Sequence, residues 1–254
     1  MTRKRIISKL KIEALRASKE GGYGMQAFTE ISTELQGFLE TVHHIRKIEK
    51  GTYLFQEGTK ANELYMIVSG KIQLSKMIPD GRELTLRMAS EGALIGELSL
   101  FCSAQSHMQN AKIVESGEVA VIYKNDLEKQ LSKNQAIALE FMKWMSQEHR
   151  KTQTKFRDLV LHGKKGALYS TLIRLSNSYG VKDGDGIVIH TPLTNQELAN
   201  FCGTSREVVN RLLSELRKSD IISIDKGIIT IHDLDYIKTE IDCENCPIEI
   251  CNIE

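Results

Sequence analysis

The chain has 254 residues, of which 41% are hydrophobic and 26% are charged, and its formal net charge is +1. The length suffices for two domains with their own cores. No apolar run reaches the roughly eighteen residues of a membrane span, and the basic N-terminus lacks the continuous apolar stretch of a signal peptide. We therefore expect a cytoplasmic protein with reduced thiols and no structural disulfide.

Residues 1–24 form a basic extension ahead of the rest of the chain. The Lys-Glu-Gly-Gly sequence at residues 19–22 can be encoded by bases that resemble a bacterial ribosome-binding site, and Met25 follows shortly after it. We hypothesise that translation starts at Met25 and that the extension is not translated. Sequencing the N-terminus of protein from its native host distinguishes this start from Met1.

Residues 25–133 have the pattern of a β-domain, with short runs of Val, Ile, Leu and Tyr separated by glycines. Two strands are predicted over residues 64–68 and 71–74, with a turn at Ser69-Gly70 between them. Pro79-Asp80-Gly81 predicts a hairpin turn, because proline presets φ and glycine accepts positive φ. Many short strands at regular spacing predict a roll or barrel.

Residues 134–162 have the hydrophobic period of one long amphipathic helix, which we expect to end at His162-Gly163. A small roll covers only part of so long an apolar stripe. We therefore favour a dimerisation helix, with a coiled-coil seam to a second copy, over packing on its own domain. The stripe consists of Ile137, Phe141, Trp144, Met145, Thr152, Phe156 and Leu159.

Residues 163–238 predict a compact helical domain, which begins with a helix over residues 166–179. Two S/T-x-x-E capping boxes follow, one starting at Thr194 and the other at Thr204. Two helix starts this close together, separated by Cys202-Gly203, predict a helix-turn-helix.

A small sheet is expected to accompany these helices. A short strand is predicted over residues 186–192. Residues 221–224 and 228–231 alternate around Asp225-Lys226-Gly227, which predicts a hairpin wing. The domain therefore has the pattern of a winged helix-turn-helix.

The second helix of such a unit enters the major groove of DNA, led by its N-terminal residues. An arginine makes a two-pronged contact with guanine, and a carboxylate accepts a hydrogen bond from cytosine N4. Glu207 repels phosphates, so its place beside Arg206 indicates base recognition; the alternative is a solvated helix face. The candidate DNA-binding residues are Thr204, Ser205, Arg206, Glu207, Asn210 and Arg211.

The chain resembles the Crp/Fnr family of bacterial transcription regulators over about residues 28–238. The motifs that carry the resemblance are GELSLF at residues 96–101 and LTNQELANFCGTSREVVNRLLSEL at residues 193–216. The resemblance implies an α+β fold with a cyclic-nucleotide-binding-like β-roll (jelly roll), a long dimerisation helix and a C-terminal winged helix-turn-helix. It also implies a homodimer that binds double-stranded DNA and RNA polymerase.

The roll departs from the members of the family that bind cyclic AMP. In those members the GEL motif is followed by Arg-Ser or Arg-Thr, which hold the cyclic phosphate. Here the corresponding stretch is AQSHMQN at residues 104–110, and no arginine lies between Arg87 and Arg150. A phosphate pocket without its cation loses its main charge-assisted hydrogen bond. We therefore expect that cyclic AMP is not the signal and that Glu97 is a structural carboxylate.

The final segment, residues 239–254, has three cysteines in the spacing C-x2-C-x4-C. Close-set reduced thiolates bind soft metals. Zinc would need a fourth ligand such as Asp242 or His232, whereas an iron–sulfur cluster is held by thiolates at short spacings. The residues alone leave zinc, a cluster and no metal open. We expect the other two cysteines, Cys102 and Cys202, to be small buried residues. The candidate ligands are Cys243, Cys246 and Cys251.

The three C-terminal cysteines are similar to those of the Bacillus-type Fnr proteins, a branch of the family that senses oxygen through a [4Fe–4S] cluster. That resemblance implies a fourth ligand from an aspartate of the long helix, which here is Asp158. A surface ion pair with Arg157 or Lys155 is the alternative role for this carboxylate. His149 and His162 are the other candidate ligands.

The function implied is that of an oxygen-responsive regulator of anaerobic gene expression. Its cluster would hold the dimer helix and the DNA-binding domain together, because each would supply ligands. The spacing Arg-Glu-x-x-x-Arg matches the cyclic-AMP-receptor side of the family, and Asn210 replaces the serine that the enterobacterial Fnr side has before Arg211. We therefore predict a TGTGA-N6-TCACA-like palindrome as the DNA site.

Two other functions are consistent with parts of the sequence. One is a small-molecule-responsive regulator that uses its roll and carries a structural zinc tail. The other is an iron–sulfur electron carrier or enzyme, which would explain the cysteines but not the pair of capped helices. No Ser/His/Asp arrangement, phosphate loop or paired acidic site stands out in the sequence, so we do not expect an enzyme.

Overall fold

The computed structural model describes residues 44–254 except 78–80, 98, 103–105 and 185. The N-terminal extension, the choice of start codon and the Pro79-Asp80 part of the expected hairpin turn lie outside these residues. None of the described helices is long and apolar enough to cross a bilayer.

The N-terminal domain is an antiparallel β-roll, as the sequence predicts. Its main sheet has the strand order β1-β6-β3-β4, with β2 paired to β6 and β5 paired to β3. Alternate side chains of these strands fill one apolar cluster inside the roll and contribute to a second between the roll and the helices that follow it. The strands are β1 (His44–Ile48), β2 (Tyr53–Phe55), β3 (Glu63–Met77), β4 (Glu83–Ala89), β5 (Leu94–Gly96) and β6 (Asn110–Tyr123).

The turn expected at Ser69-Gly70 is absent from the described strands: β3 runs through it without reversing. The pairing of β3 with β6 shifts register at this point, which marks a β-bulge. Gly70 has φ +92°, and a Cβ on it would lie 2.7 Å from the Glu115 carbonyl oxygen. A bulge and a turn both require glycine, so the sequence pattern alone did not separate them.

Two helices follow the roll: α1 (Lys124–Lys133) and α2 (Gln135–Tyr179). The break expected at His162-Gly163 is present, because Gly163 has φ +57° and ψ −149° inside α2. The two halves of α2 fold back on each other there. Ser170 in the second half donates a 2.5 Å hydrogen bond to Asp158 in the first, although a straight helix would separate them by about 18 Å.

The apolar stripe of α2 has two environments. Its first residues, Ile137, Phe141 and Trp144, pack on the chain's own roll, so the expectation of one continuous seam to a second copy is wrong for this part. Further along, Phe156 is 68% exposed. The exposed apolar residues of α2 are Leu139, Met142, Met145, Phe156, Leu159, Val160 and Leu161.

The C-terminal domain is the winged helix-turn-helix that the sequence predicts. Its sheet has the order β7-β8-β10-β9, and the wing turns at Lys226 and Gly227, both with positive φ. The second half of α2 supplies much of the core. The elements are β7 (Gly180–Asp183), β8 (Gly186–Ile189), α3 (Asn195–Phe201), α4 (Arg206–Lys218), β9 (Ile222–Asp225), β10 (Ile228–Ile231) and α5 (Leu234–Thr239).

The C-terminal domain and α2 rest on β4, an edge strand of the roll. Asn200 of α3 donates a 3.2 Å hydrogen bond to the Glu83 carboxylate. Arg87 of β4 forms a 2.5 Å ion pair with Glu148 of α2. Covering an edge strand satisfies backbone groups that would otherwise pair with other chains.

Candidate functional site

The first capping box is confirmed, and the second is not. The Thr194 hydroxyl accepts from the Glu197 N–H, and the Glu197 carboxylate accepts from the Thr194 N–H, so α3 has both bonds of the motif. Helix α4 starts one residue later than expected, with Ser205 at its N-cap and no side-chain capping bond. The tight turn between the helices passes through Gly203, at φ +57°.

Helix α4 presents a polar face to solvent and buries an apolar one. Val209, Leu212, Leu213 and Leu216 face the core. Five of the six candidate DNA-binding residues are exposed: Ser205, Arg206, Glu207, Asn210 and Arg211.

Thr204 departs from that expectation, because it is 8% exposed and does not lie on the exposed face. Its hydroxyl has no hydrogen-bond partner among the described residues. At the helix start, the pKa of Glu207 is lowered by its own backbone N–H, the Ser205 hydroxyl and Arg206. Glu207 is therefore held as a carboxylate, the form that accepts a hydrogen bond from cytosine.

The cysteine tail, residues 240–254, follows α5 as a compact series of turns. The Pro247 carbonyl accepts hydrogen bonds from Ile250 N at 2.9 Å and Cys251 N at 2.8 Å. The Asn252 side chain donates to the carbonyls of Ile248 and Glu249. The three tail cysteines are each partly buried, and all five cysteines of the chain are free thiols.

The tail is fastened to the second half of α2 by polar side chains that sequence analysis missed. Arg174 Nη1 donates to the Ile250 carbonyl at 3.1 Å, and Asn177 donates to the Cys251 carbonyl at 2.6 Å. The Ser178 hydroxyl accepts from the Ile253 N–H at 3.0 Å. The sequence does carry a signal for this attachment: Arg174 is a charged residue among the apolar residues of the helix, and a buried charge requires a partner.

The thiol of Cys251 is partly buried and is influenced by charges on both α2 and the tail. Burial raises the pKa of its thiol, and Cys243, Cys246 and Asp158 lie close enough to raise that pKa further, whereas Arg174 opposes them. Although 85 residues separate Cys243 from Asp158 along the chain, the residues next to them, Glu244 and Arg157, form an ion pair. Within the described residues, no three His, Cys, Asp or Glu side chains converge in a metal-binding arrangement.

Asp158 is 4% exposed and its carboxylate is fully engaged. Arg157 donates to Oδ1 at 2.7 Å, so the ion pair with Arg157 considered from the sequence forms, but with a buried carboxylate rather than at the surface. Ser170 and Arg174 donate to Oδ2 at 2.5 and 3.2 Å. Lys155, the other partner considered, instead donates to the Leu86 carbonyl of the roll.

The remaining ligand candidates lie in other settings. His149 is exposed. His232 contacts the Ser223 hydroxyl at 2.9 Å within the wing sheet, and Asp242 is exposed with φ +45°. The three tail cysteines are free, partly buried thiols, and thiolates are the donors that hold iron–sulfur clusters.

The two other cysteines differ from each other. Cys202 is 2% exposed, as expected, and burial raises the pKa of its thiol to about 12, partly opposed by the Thr171 hydroxyl. Cys102 is exposed, so the expectation that it is buried is wrong.

The roll holds two polar side chains near its GEL motif. The Glu97 carboxylate accepts a 3.1 Å hydrogen bond from the Met108 N–H. His107, which sequence analysis did not single out, is 2% exposed and stacks on Phe55 at 3.9 Å between ring centroids.

Comparison with known proteins covers both domains. The family model described as "Cyclic nucleotide-binding domain" matches residues 45–134, and "Crp-like helix-turn-helix domain" matches residues 166–239. The chain is 57% identical over 225 residues to the anaerobic regulatory protein of Bacillus subtilis, covering 88% of this chain and 94% of that protein.

Two further similarities are more distant. The chain is 27% identical over 184 residues to the CRP-like cAMP-activated global transcriptional regulator of Mycobacterium tuberculosis, covering 72% and 82% of the two chains. The solved structure of the global regulator CLP of Xanthomonas campestris has a TM-score of 0.66 at 23% identity, covering 80% of this chain and all of that one.

A β-roll joined by a long helix to a winged helix-turn-helix with an exposed second helix defines a DNA-binding transcription regulator. The matches to both domains and the 57% identity establish the family. The chain belongs to the Crp/Fnr family. These relatives are transcription regulators rather than enzymes.

Proposed function

We propose that this chain is a cytoplasmic, oxygen-responsive regulator of anaerobic gene expression. It would bind a [4Fe–4S] cluster through Cys243, Cys246, Cys251 and Asp158. The observation that carries the proposal is that Arg174 donates hydrogen bonds both to the Asp158 carboxylate and to the Ile250 carbonyl beside Cys251. The identity to a relative named as an anaerobic regulatory protein supports it.

When bound, the cluster supplies an oxygen-labile metal centre that links the tail to α2. The chain's own residues explain why such a link would matter. The tail is anchored to the second half of α2 by Arg174 and Asn177, whereas Asp158 belongs to the first half. Ligands from both would fix the angle of α2 at Gly163, and with it the direction in which the C-terminal domain faces.

The exposed apolar residues of α2 support a homodimer. Met142, Met145, Phe156 and Leu159 are spaced as a helical seam that the single chain leaves uncovered. A dimer would present two copies of α4, related by a two-fold axis. Its DNA site would then be a palindrome with half-site centres about 34 Å apart.

Arg206, Glu207 and Arg211 are the residues proposed to contact bases. Each arginine favours guanine, and Glu207 favours the cytosine of a neighbouring pair. This combination supports a TGTGA-N6-TCACA-like site. RNA polymerase is the partner proposed for the DNA-bound dimer, and a signal other than cyclic AMP is proposed for the roll.

The experiment that tests the proposal is anaerobic purification followed by iron and sulfide analysis, with DNA binding measured before and after exposure to air. A brown protein with about four irons and four sulfides per chain, which loses DNA affinity in air, is the expected result. A colourless protein with stoichiometric zinc would instead establish a regulator with a structural zinc tail.

A further inference from the structure

Arg174 joins the two halves of α2 to the cysteine tail. Its side chain is 3% exposed. Nε donates to the Ser170 hydroxyl at 3.1 Å and Nη1 to the Ile250 carbonyl at 3.1 Å. Nη2 donates to the Thr154 hydroxyl at 3.0 Å and to Asp158 Oδ2 at 3.2 Å. One guanidinium therefore fixes three segments of the chain, including the residue next to Cys251.

The two oxygens of the Asp158 carboxylate have different partners. Oδ2 is held by the buried side chains of Ser170 and Arg174. Oδ1 is held by Arg157, whose side chain is 25% exposed. Arg157 also forms an ion pair with Glu244, which lies in the tail between Cys243 and Cys246. Oδ1 is thus the oxygen whose partner already has access to solvent.

We propose that Arg174 is the positioning residue of the metal site and that Arg157 is an exchangeable partner of its carboxylate ligand. Arg174 would hold Oδ2 and the tail in place with or without iron. Arg157 would occupy Oδ1 in the cluster-free chain and release it to iron. This inference rests on the proposed function, because it takes Asp158 and Cys251 as ligands.

The physical reason is the cost of leaving each arginine unpaired. Removing one partner of a buried charge pair leaves the other uncompensated in the interior, so the Arg174–Asp158 contact does not exchange readily with solvent. A partly exposed guanidinium is rehydrated when it leaves its partner, and exposed ion pairs are weak. Substitutions of Arg174 and of Arg157 are therefore expected to affect the metal site in opposite directions.

The first test uses cluster-free, full-length protein and needs no metal. The rate at which iodoacetamide alkylates Cys251, taken at the pH-independent limit where the thiol is fully ionised, reports whether the tail is docked. Arg174→Met should raise that rate about tenfold, since it removes charge-assisted hydrogen bonds to the Ile250 carbonyl and Asp158. Arg157→Met should leave the rate close to that of the wild type. Lys143→Met is the control, because Lys143 is exposed on α2 and pairs with Glu140 of the same helix.

The second test follows iron uptake and the lifetime of visible absorbance in air. Arg174→Met should shorten the lifetime. Arg157→Met should not shorten it and should speed iron uptake, because Oδ1 no longer has a competing partner. Glu244→Gln breaks only the pair between Arg157 and the tail, so it separates that pair from the contact with Asp158. Arg174→Lys should restore the site only in part, since lysine cannot form the same fork of hydrogen bonds.

The results of the two tests distinguish a failure of this inference from a failure of the proposed function. If wild-type protein takes up neither iron nor sulfide, the proposed function fails, and the alkylation rates still test whether Arg174 docks the tail. If Arg174→Met matches the wild type in both assays, the positioning role is overturned. If Arg157→Met loses its absorbance as fast as Arg174→Met, the exchangeable role is overturned.

Arg174→Met leaves the buried Asp158 with fewer partners and is at risk of misfolding. The double variant Arg174→Met/Asp158→Asn removes that unpaired charge. Its fold is checked by far-UV circular dichroism, and its Cys251 alkylation should be as fast as that expected for Arg174→Met. A folded double variant with wild-type protection of Cys251 would also overturn the positioning role.

Discussion

The Met88 N–H of the roll donates a 3.2 Å hydrogen bond to the Ile253 carbonyl of the cysteine tail. This bond connects the edge strand β4 to a segment that is also fastened to α2 through Ser178. The tail therefore lies where the roll, the long helix and the C-terminal domain meet. We therefore expect a change in how the tail is held to alter the contact between the two domains.

Met88→Pro should release the tail from the roll without unfolding the roll. Proline removes one N–H, and an edge strand tolerates proline where that N–H points away from the sheet. The loss of a hydrogen bond worth about 1 kcal/mol should speed amide exchange in residues 247–253 about fivefold. Hydrogen–deuterium exchange with mass spectrometry measures this, with Met88→Leu as the control that retains the bond. Equal exchange in both variants would show that the bond does not hold the tail.

Serine substitution of Cys243, Cys246 or Cys251 should each abolish both the cluster and DNA binding under anaerobic conditions. Cys102→Ser and Cys202→Ser should retain both, because one thiol is exposed on the roll and the other is buried beside Thr171. Iron and sulfide analysis and gel-shift assays provide the measurements. A brown, DNA-binding Cys246→Ser protein would contradict the ligand assignment.

Asp158→Ala should destabilise cluster-free protein by about 3–5 kcal/mol, because it leaves Arg174 buried without its carboxylate. Asp158→Asn keeps the shape and one acceptor, so its cost should be smaller, about 1–3 kcal/mol. Urea unfolding measures both values.

The choice of control for Asp158 follows from the structure. Glu148 on the same helix is not neutral, because it pairs with Arg87 and Lys151. Glu140→Ala is better matched, since its pair with Lys143 is at the surface. In the presence of iron, Asp158→Ala should also shorten the cluster's lifetime in air. If the cluster of Asp158→Ala has a normal lifetime in air and that of His149→Ala or His162→Ala is shortened, the fourth ligand is that histidine rather than Asp158.

Glu207→Ala should relax discrimination at one base pair of each half-site rather than weaken binding to all sequences equally. Losing a single base contact costs about 1–3 kcal/mol per half-site. Anaerobic selection from random DNA should enrich TGTGA half-sites for the wild type, with that one position relaxed in the variant. Enrichment of TTGAT half-sites, or of no palindrome, would show that α4 contacts different bases.

Phe156→Asp should weaken dimerisation strongly, because Phe156 is 68% exposed in the single chain and lies on the proposed seam of α2. Burying an unpaired carboxylate in an apolar interface is costly. Sedimentation equilibrium measures the dimer affinity. Ile45→Asp is the matched control, since Ile45 is 50% exposed on the roll. Equal effects from the two substitutions would place the dimer seam elsewhere.

Local patterns were sufficient wherever neighbours along the chain decide the structure. The Thr194 capping box, the wing turn at Lys226-Gly227 and the break at Gly163 depend on backbone preferences and hydrogen bonds within a few residues. Local patterns were insufficient where a residue is compatible with two different local structures. Gly70 suits a turn or a bulge, and only its pairing with β6 makes it a bulge.

The sequence by itself determined the order of the domains, the polar face of α4 and the identity of the three tail cysteines, since each is a matter of composition and spacing. Tertiary structure decided which distant groups meet. By folding α2 back at Gly163, it places Asp158 against Ser170 and Arg174, and Arg174 in turn holds the Ile250 carbonyl next to Cys251. Hydrophobic periodicity carries no information about such a contact, because a buried ion pair depends on the angle between two helix halves.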